Sequence, residues 1–240
     1  MKTLPVFGRI FLIPVTLGGE EFRRTIPEEV INITKSLRNF IVEDIRSARR
    51  YLKLIDKDFP IDETLFSELN EHTPDSAIPG LLLRIEKGTD TGLMSEAGLP
   101  CIADPGSRLI ALAHKKNINV IPLSGPSSVI LALSASGLNG QQFSFNGYLP
   151  VNRTEREIKI RELEKKSKAG YSQIFMETPY RNQKMLESIL NTCNDDTLLC
   201  IAADITLPSE SLRTRKIKEW KKDTPDISKH QVIFILQSCS

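Results

Sequence analysis

The sequence predicts an α/β protein built of two α/β domains. The first observation behind this prediction is that short apolar runs alternate with helical patterns up to residue 138. Such alternation is typical of a parallel sheet whose strands are joined by right-handed crossovers. The second is that carboxylates and glycine–proline turns follow the strands, at the edge where ligands of such sheets bind. The third is a change of composition near residue 143, after which a shorter strand–helix pattern begins.

The first domain is expected to contain four strands and five helices. Short apolar runs bounded by polar or turn residues predict strands at residues 9–14, 39–44, 91–95 and 118–123. The first helical pattern, residues 27–37, opens with proline and two glutamates, which are typical of a helix start. Further helices are predicted at residues 45–56, 62–72, 107–117 and 127–138.

The second domain is expected to be smaller and to contain a mixed sheet. Residues 146–151, NGYLPV, are interpreted as an inter-domain linker, and the charged stretch after them as a solvated helix. A strand, a helix and two strands are then predicted at residues 172–177, 180–192, 197–204 and 231–237. We therefore place the two domains at residues 1–145 and 146–240.

Composition describes an ordinary globular chain of 240 residues, 40% hydrophobic and 26% charged. The formal net charge of +2 neither demands nor excludes a polyanionic partner. The four cysteines form no C-x-x-C pair and the three histidines no ligand spacing, so we expect no metal site. The cysteines are interpreted as small buried residues in a reducing compartment. The apolar N-terminal run is too short and too broken by proline for a signal peptide or a membrane span, which predicts a cytoplasmic protein.

Two crowded stretches indicate what kind of ligand the first domain binds: MSEAGLPCIADPG, residues 94–106, and PLSGPSS, residues 122–128. Gly98 permits a sharp turn after a strand, and the small side chain of Ala97 lets a flat ligand lie against the backbone. Neither stretch contains the glycine patterns that cradle phosphates. A ligand with a carboxylate, an ammonium group and a flat base, but no phosphate, therefore fits this edge of the sheet.

Several of these residues also have purely structural interpretations. Asp104 has the position of a turn former or a helix cap. Glu177 and Arg181 are spaced to form a surface ion pair at a helix start. The basic face of the helix at residues 45–56 is either a phosphate-binding surface or an ordinary solvated face.

In order and spacing, six segments of the chain resemble one known superfamily: VEDIRSARRYL, SEAGLPCIADPG, VIPLSGPSSVILALSASGL, FSFNGYLP, METPYR and AADIT. They resemble the tetrapyrrole-methylase-like superfamily, and within it most closely the bacterial small-subunit ribosomal RNA (cytidine-2′-O)-methyltransferases. The resemblance implies two α/β domains of the tetrapyrrole methylase type with S-adenosylmethionine bound in the cleft between them. It also implies a homodimer, and ribosomal RNA or the small ribosomal subunit as the partner that receives a methyl group on a ribose 2′-hydroxyl.

The resemblance carries site residues over by motif. The implied cofactor-binding residues are Pro14, Glu96, Ala97, Gly98, Ile102, Ser127 and Ser128 from the first domain, and Ala203, Asp204, Ile205 and Thr206 from the second. Asp104 is expected to fix its loop rather than to touch substrate. Because a ribose hydroxyl is a poor nucleophile, carboxylates at strand ends are candidate catalytic bases: Glu43, Asp44 and Glu177. The candidate substrate-binding residues are Arg46, Arg49 and Arg181.

Two alternatives stay open at this point. One is a methyltransferase for a small molecule such as a tetrapyrrole, and the other is a non-catalytic protein that retains the fold. The first loop, IPVTLGGEEF, lacks the asparagine of the family's Thr-Pro-Ile-Gly-Asn-Leu, and Leu99 replaces a hydroxyl-bearing residue. These departures bear more on the acceptor than on the cofactor.

Overall fold

A computed structural model describes residues 7–238, and the chain divides into two compact units, Met1–Ser127 and Ser128–Ser240. The strands of the first unit are β1 (Ile10–Leu12), β2 (Asn39–Val42), β3 (Leu65–Glu68), β4 (Thr91–Met94) and β5 (Val120–Pro122). Its helices are α1 (Glu28–Ser36), α2 (Ile45–Ile55), α3 (Ile78–Leu81), α4 (Leu83–Glu86) and α5 (Gly106–Lys115).

The first sheet is entirely parallel and has the strand order β3-β2-β4-β1-β5. Its inner strands are buried on both faces because helices cover them, which is why β2 reads as the continuous apolar run Phe40–Val42. One apolar cluster includes Phe40 and Leu52, and another includes Ile41 and Leu109. The parallel sheet expected from the sequence is therefore confirmed, and the carboxyl ends of its strands meet along one edge.

The prediction of a helix at residues 62–72 is wrong. These residues form a single 3₁₀ turn, Ile61–Glu63, followed by strand β3. β3 pairs with β2 in the register Asn39↔Leu65 to Val42↔Glu68 and forms the edge of the sheet. The apolar spacing of LFSEL suited a helix, but the backbone hydrogen bonds available beside β2 favour a strand over that local pattern.

The second unit contains five strands and four helices within its described residues. The strands are β6 (Phe143–Tyr148), β7 (Ser172–Glu177), β8 (Leu198–Ala203), β9 (Ser211–Lys216) and β10 (Val232–Gln237). The helices are α6 (Ser128–Ser136), α7 (Arg153–Ser167), α8 (Asn182–Thr192) and α9 (Ile217–Lys222). The strand order is β6-β7-β10-β8-β9, with β6 and β7 parallel and the other pairs antiparallel. The expected mixed sheet is confirmed.

The interpretation of residues 146–151 as a linker is wrong, because Asn146–Tyr148 completes strand β6 and Leu149 is buried in the core of the second unit. The division of the chain lies after Ser127, earlier than the boundary expected after residue 145. The physical reason is that α6 packs against β8, β9 and β10. The hydroxyl of Thr214 also donates a hydrogen bond to the carbonyl of Ser136 at 2.7 Å.

The charged helix predicted after residue 151 forms as α7, but it is not solvated all round. Ile160 and Leu163 are fully buried against the sheet. Glu164 is buried as well, and its carboxylate accepts hydrogen bonds from the Asn194 N–H at 2.7 Å and the Thr197 hydroxyl at 2.6 Å. One charged residue of α7, Glu164, is therefore buried with its carboxylate hydrogen-bonded rather than exposed to solvent. Across residues 7–238, no helix combines the length and the apolar character that a membrane crossing requires.

Candidate functional site

The turn that follows β4 is tightly built around Gly98. This glycine is buried, has φ of +70°, and its carbonyl accepts a hydrogen bond from the Val15 N–H at 2.9 Å. A Cβ at this position would lie 3.2 Å from the Pro126 carbonyl oxygen. Both the left-handed backbone and the close approach require glycine. Glu96 and Ala97 precede it with exposed side chains, so the turn presents one carboxylate and one methyl group to solvent.

The loops after β1 and β5 meet at an even closer contact. A Cβ on Gly125 would lie 2.2 Å from the Cβ of Pro14, so no larger residue fits at Gly125 unless the backbone moves. Pro14 is buried, and its carbonyl accepts a hydrogen bond from the Tyr51 hydroxyl at 3.1 Å. The three loops that follow β1, β4 and β5 therefore form one packed platform at the carboxyl edge of the first sheet.

The Asp104 carboxylate fixes the next loop, as the sequence predicted. Its two oxygens accept hydrogen bonds from the N–H groups of Cys101 and Gly106, both at 2.7 Å. Cys101 and Ala103 have φ of +70° and +62°, so the carboxylate holds two non-glycine residues in the left-handed region. Burial raises the pKa of Asp104, while these amide bonds lower it. Ile102 is left 45% exposed at the tip of the loop.

We expect Asp104→Ala to destabilise the protein by about 2 kcal/mol, because hydrogen bonds from two partly buried amides to a charged acceptor are lost. Asp104→Asn keeps one acceptor oxygen and is expected to show a smaller loss. Urea unfolding of the three proteins measures the difference. Equal stability of all three would contradict the assigned role.

Glu43 directly follows β2 and faces the platform. Its carboxylate accepts a hydrogen bond from the Glu96 N–H at 3.1 Å. Partial burial raises the pKa of Glu43, the Glu96 amide opposes that shift, and the negative charges of Asp104 and Glu96 reinforce it. A carboxylate with a raised pKa beside such a platform is a candidate proton acceptor.

Asp44, the neighbouring candidate, caps helix α2. Its side chain accepts a hydrogen bond from the Ser47 N–H at 2.7 Å. That bond is the largest cause of the lowered pKa of Asp44. Capping alone is a sufficient reason for an aspartate at this position. The lowered pKa makes Asp44 a weaker proton acceptor than Glu43.

The candidate substrate-binding arginines of α2 lie on its solvent side. Arg46 and Arg49 are exposed, and the Arg49 guanidinium lies 5.3 Å from the centre of the Phe66 ring. Helix α2 begins at the same sheet edge as Glu43. Arg46 is therefore close to Glu43 along the chain, whereas Arg49 lies about one helical turn further on.

In the second unit, Glu177 ends β7 with its side chain buried. One carboxylate oxygen accepts hydrogen bonds from Arg181 Nη2 at 2.6 Å and from the Thr178 N–H at 2.7 Å. The other oxygen is buried without a hydrogen-bonding partner among residues 7–238, as is Oδ1 of Asn182. The Glu–Arg pair proposed from the spacing is confirmed, with the carboxylate buried rather than at the surface. An ion pair of this kind favours a structural role for both residues.

Asp204 lies at the same edge of the second sheet, since Glu177 and Ala203 both pair with Val232. Its Oδ2 accepts a hydrogen bond from the Ser209 hydroxyl at 2.7 Å and lies 2.6 Å from Nδ1 of His230. Burial raises the pKa of Asp204, but the hydrogen bonds outweigh it and the pKa is lowered. The carboxylate thus fixes the orientation of an imidazole that is 41% exposed.

The other residues of the second unit that the resemblance implies as cofactor-binding are the sequence neighbours of Asp204. Ala203 and Ile205 are buried. Asp204 and Thr206 have φ of +51° and +74°, and the Thr206 N–H donates to a Glu210 carboxylate oxygen at 2.7 Å. This is a sharply bent, hydrogen-bonded turn, comparable in construction to the Asp104 loop of the first unit.

The structure therefore brings Glu43, Glu96, Gly98 and Pro14 together in the first unit, while Glu177 and Asp204 share an edge in the second. Ser127 is buried as the last residue of the first unit, and Ser128 begins α6. Sequence reasoning missed His230, which lies 26 residues beyond Asp204. His230 approaches Asp204 because β10 lies between β7 and β8 in the sheet. No local sequence pattern predicts that strand order. Within residues 7–238, no cluster of three or more His, Cys, Asp or Glu residues is placed to hold a metal ion.

Comparisons with known proteins agree with this fold. A family model described as Tetrapyrrole (Corrin/Porphyrin) Methylases matches residues 29–221. The Ribosomal RNA small subunit methyltransferase I of Vibrio cholerae is 28% identical over 239 residues, which cover 98% of this chain and 79% of that protein. The protein of the same name from Escherichia coli O157:H7 is 26% identical over 233 residues, covering 96% and 78%.

Two solved structures share the fold at low sequence identity. The methyltransferase CobJ superposes with a TM-score of 0.66 at 15% identity, covering 97% of this chain and 95% of that one. The uroporphyrin-III-C-methyltransferase from Thermus thermophilus gives 0.55 at 15% identity, covering 96% and 92%. Because the family model spans most of the sequence, the chain belongs to the tetrapyrrole (corrin/porphyrin) methylase family and is a methyltransferase.

Proposed function

We propose that the protein transfers the methyl group of S-adenosylmethionine to a ribose 2′-hydroxyl of small-subunit ribosomal RNA. The relatives that match nearly the whole chain carry the name of a small-subunit ribosomal RNA methyltransferase. The observation that carries the proposal is the platform at the carboxyl edge of the first sheet, where Glu43 adjoins the Glu96–Gly98 turn.

The platform fits the chemistry of S-adenosylmethionine. That molecule carries a carboxylate, an ammonium group and a flat adenine but no phosphate, and the platform offers bent backbone, the small Ala97 and the exposed Ile102. The lack of side-chain space at Gly98 and Gly125 keeps the loop backbones close together, so a bound ligand would lie against backbone rather than against side chains. When bound, the cofactor supplies an electrophilic methyl group on a sulfonium.

Glu43 is the residue we assign as proton acceptor. Transfer from a sulfonium is an in-line displacement, so alignment of the attacking oxygen carries much of the rate. A ribose hydroxyl also has to lose its proton, and a carboxylate with a raised pKa accepts it more effectively than one such as Asp44 with a lowered pKa. Arg46, exposed at the start of α2, is the first candidate to contact an RNA phosphate.

Calorimetric titration with S-adenosylmethionine tests the cofactor assignment. The unmodified protein is expected to bind at micromolar concentration, and Gly98→Trp is expected to abolish binding because an indole cannot enter the turn without displacing Pro126. Ala97→Trp makes the same test at an exposed position and carries less risk to folding. Gly80→Trp is the matched control, since a Cβ at this exposed position meets no atom of the surrounding structure within 4 Å. Absence of binding to the unmodified protein would refute the proposal.

Transfer of a radiolabelled methyl group to purified small ribosomal subunits, to free ribosomal RNA and to a tetrapyrrole then tests the acceptor. Incorporation at a ribose oxygen of the RNA is the expected result. Incorporation into the tetrapyrrole alone would establish the small-molecule alternative, and cofactor binding without any transfer would establish the non-catalytic one. The family resemblance also leads us to propose a cytoplasmic homodimer, which light scattering of the purified protein and cell fractionation would test.

A further inference from the structure

A second concave site lies within the second unit and adjoins the end of β8 described above, since its lining includes Ala203, Ser209 and His230. It is a cavity of about 190 Å³ bounded by β8, β9, α9 and the segment that leads to β10. Its lining contains both an apolar floor and a charged rim. Apart from Ala203, which the family resemblance gives as cofactor-binding, the residues of the floor and rim named below have no role in the function proposed so far.

The floor of the cavity is apolar. Ile201 and Ala203 contribute it from one face of β8, directly opposite Arg213 and Ser211 on β9. Trp220, the only tryptophan of the chain, lies behind this floor and is 4% exposed. Its indole N–H donates to the Leu199 carbonyl at 2.9 Å, so the ring is held in one orientation.

The rim carries both hydrogen-bond donors and acceptors. The Arg215 guanidinium lies 4.9 Å from the centre of the Trp220 ring and donates to Asp223 at 3.0 Å. Among residues 7–238, the Arg213 side chain has no ion-pair or hydrogen-bonding partner. Asp226 adds a second exposed carboxylate. Two guanidinium groups and two carboxylates leave the cavity without a dominant sign of charge, which disfavours a simple anion or cation as its ligand.

The size of the cavity and the chemistry of its lining together limit the class of ligand that it can bind. A cavity of about 190 Å³ is smaller than the usual pocket of a drug-sized molecule and suits a single ring system. A carboxylate accepts from an exocyclic amino group, and a guanidinium donates to a ring carbonyl or nitrogen. Unstacked RNA bases also bind on guanidinium planes, and here the guanidinium of Arg215 lies over the buried Trp220 ring.

We propose that this cavity binds one unstacked, amino-bearing nucleobase of an RNA strand, with Arg213 donating to the base. The inference rests on the proposed RNA acceptor. It adds a specificity site in the second unit, distinct from the platform of the first. A free nucleotide and a nucleotide within RNA have the same chemistry here, so the test includes both.

The single tryptophan provides the readout. The unmodified protein is titrated with cytidine monophosphate, with uridine monophosphate and with a short single-stranded oligoribonucleotide, while Trp220 fluorescence is recorded. We expect saturable quenching by cytidine monophosphate and by the RNA, and weaker quenching by uridine monophosphate, which lacks the amino group. Arg213→Ala is expected to weaken binding about tenfold, and Ser211→Phe, which fills the mouth of the cavity, to abolish it. Arg161→Ala, an equal loss of charge on helix α7, is the matched control.

The outcomes separate this inference from the proposed function. If RNA binds, as shown by anisotropy of a labelled strand, but Trp220 does not respond and Ser211→Phe binds equally well, the cavity is not a base site. Quenching by the nucleotide in a protein that never methylates RNA would support the cavity and refute the acceptor instead. Binding of S-adenosylmethionine is expected to be the same in Arg213→Ala and Arg161→Ala, and its loss in Arg213→Ala would count against the inference by showing a wider disruption.

Discussion

Replacing Glu43 by glutamine is expected to lower the rate of methyl transfer by about 10²–10⁴-fold, the usual contribution of a general base. Glutamine retains an oxygen that can accept from the Glu96 N–H, so the turn after β4 and the affinity for S-adenosylmethionine are expected to persist. Single-turnover rates with saturating cofactor measure the effect. A variant that turns over at the original rate would remove Glu43 from the mechanism.

Two further variants sharpen this test. Glu68→Gln changes an exposed carboxylate at the end of β3, where it pairs in register with Val42, and is the matched control for loss of charge at this edge. Asp44→Asn preserves a capping oxygen on α2 and separates the cap from any catalytic role, because asparagine caps helices as well as aspartate does. A large loss of rate in Asp44→Asn with no loss in Glu43→Gln would transfer the role to Asp44.

The raised pKa of Glu43 determines how the transfer rate and the stability of the protein are expected to vary with pH. Glu43 must be ionised to accept a proton, so the transfer rate is expected to fall as the pH falls through its raised pKa. A raised pKa also means that the folded protein binds this proton more tightly than the unfolded chain. Ionisation of Glu43 above that pKa therefore costs stability, and Glu43→Gln is expected to be neutral or slightly stabilising at pH 7. Thermal unfolding at pH 5 and pH 8 checks the sign.

Replacing Arg181 by methionine is expected to destabilise the protein by about 3–5 kcal/mol, because the buried Glu177 carboxylate loses its partner at 2.6 Å. Methionine retains much of the apolar length of the arginine side chain, so the loss reports the charge rather than a cavity. Urea unfolding measures it. Arg161→Met on the surface of α7 is the matched control.

The double variant Glu177→Gln with Arg181→Met distinguishes an uncompensated charge from a general loss of packing. Removing the carboxylate together with its partner is expected to recover much of the stability. If the double variant is as unstable as Arg181→Met alone, burial of an unpaired charge is not the cause. Retained methyl transfer in a refolded double variant would also confine both residues to a structural role.

The extent to which the sequence predicts this molecule differs between its parts. Strands β1, β2, β4 and β5 are apolar runs with clear turns, and local pattern suffices to place them. β3 is an exposed edge strand whose apolar spacing resembles a helix, and only pairing with β2 decides its conformation. Residues 146–151 contain the turn-forming Asn-Gly and a proline, so they resemble a linker although the first three complete β6.

The candidate site shows the same division. Gly98 and Asp104 were identified correctly as a turn glycine and a loop-fixing carboxylate, because both effects are local in sequence. The burial of Glu177 and the pairing of Asp204 with His230 depend on strands that meet only in the folded sheet. Long-range pairings of this kind leave no periodic signal in a single sequence.

The position of β1 between β4 and β5 has a consequence for how the first unit folds. The N-terminal strand pairs with β4 through Ile10↔Thr91 and with β5 through Ile10↔Val120, so both of its neighbours are distant in the chain. During synthesis from the N-terminus, β1 leaves the ribosome long before either partner, whereas β2 and β3 can pair early. Closure of the sheet around β1 therefore carries a large loop-closure entropy and is expected to be a late, slow step of folding. Until that step the residues that build the platform remain apart, so the proposed cofactor binding is expected to appear at the end of folding rather than at its beginning.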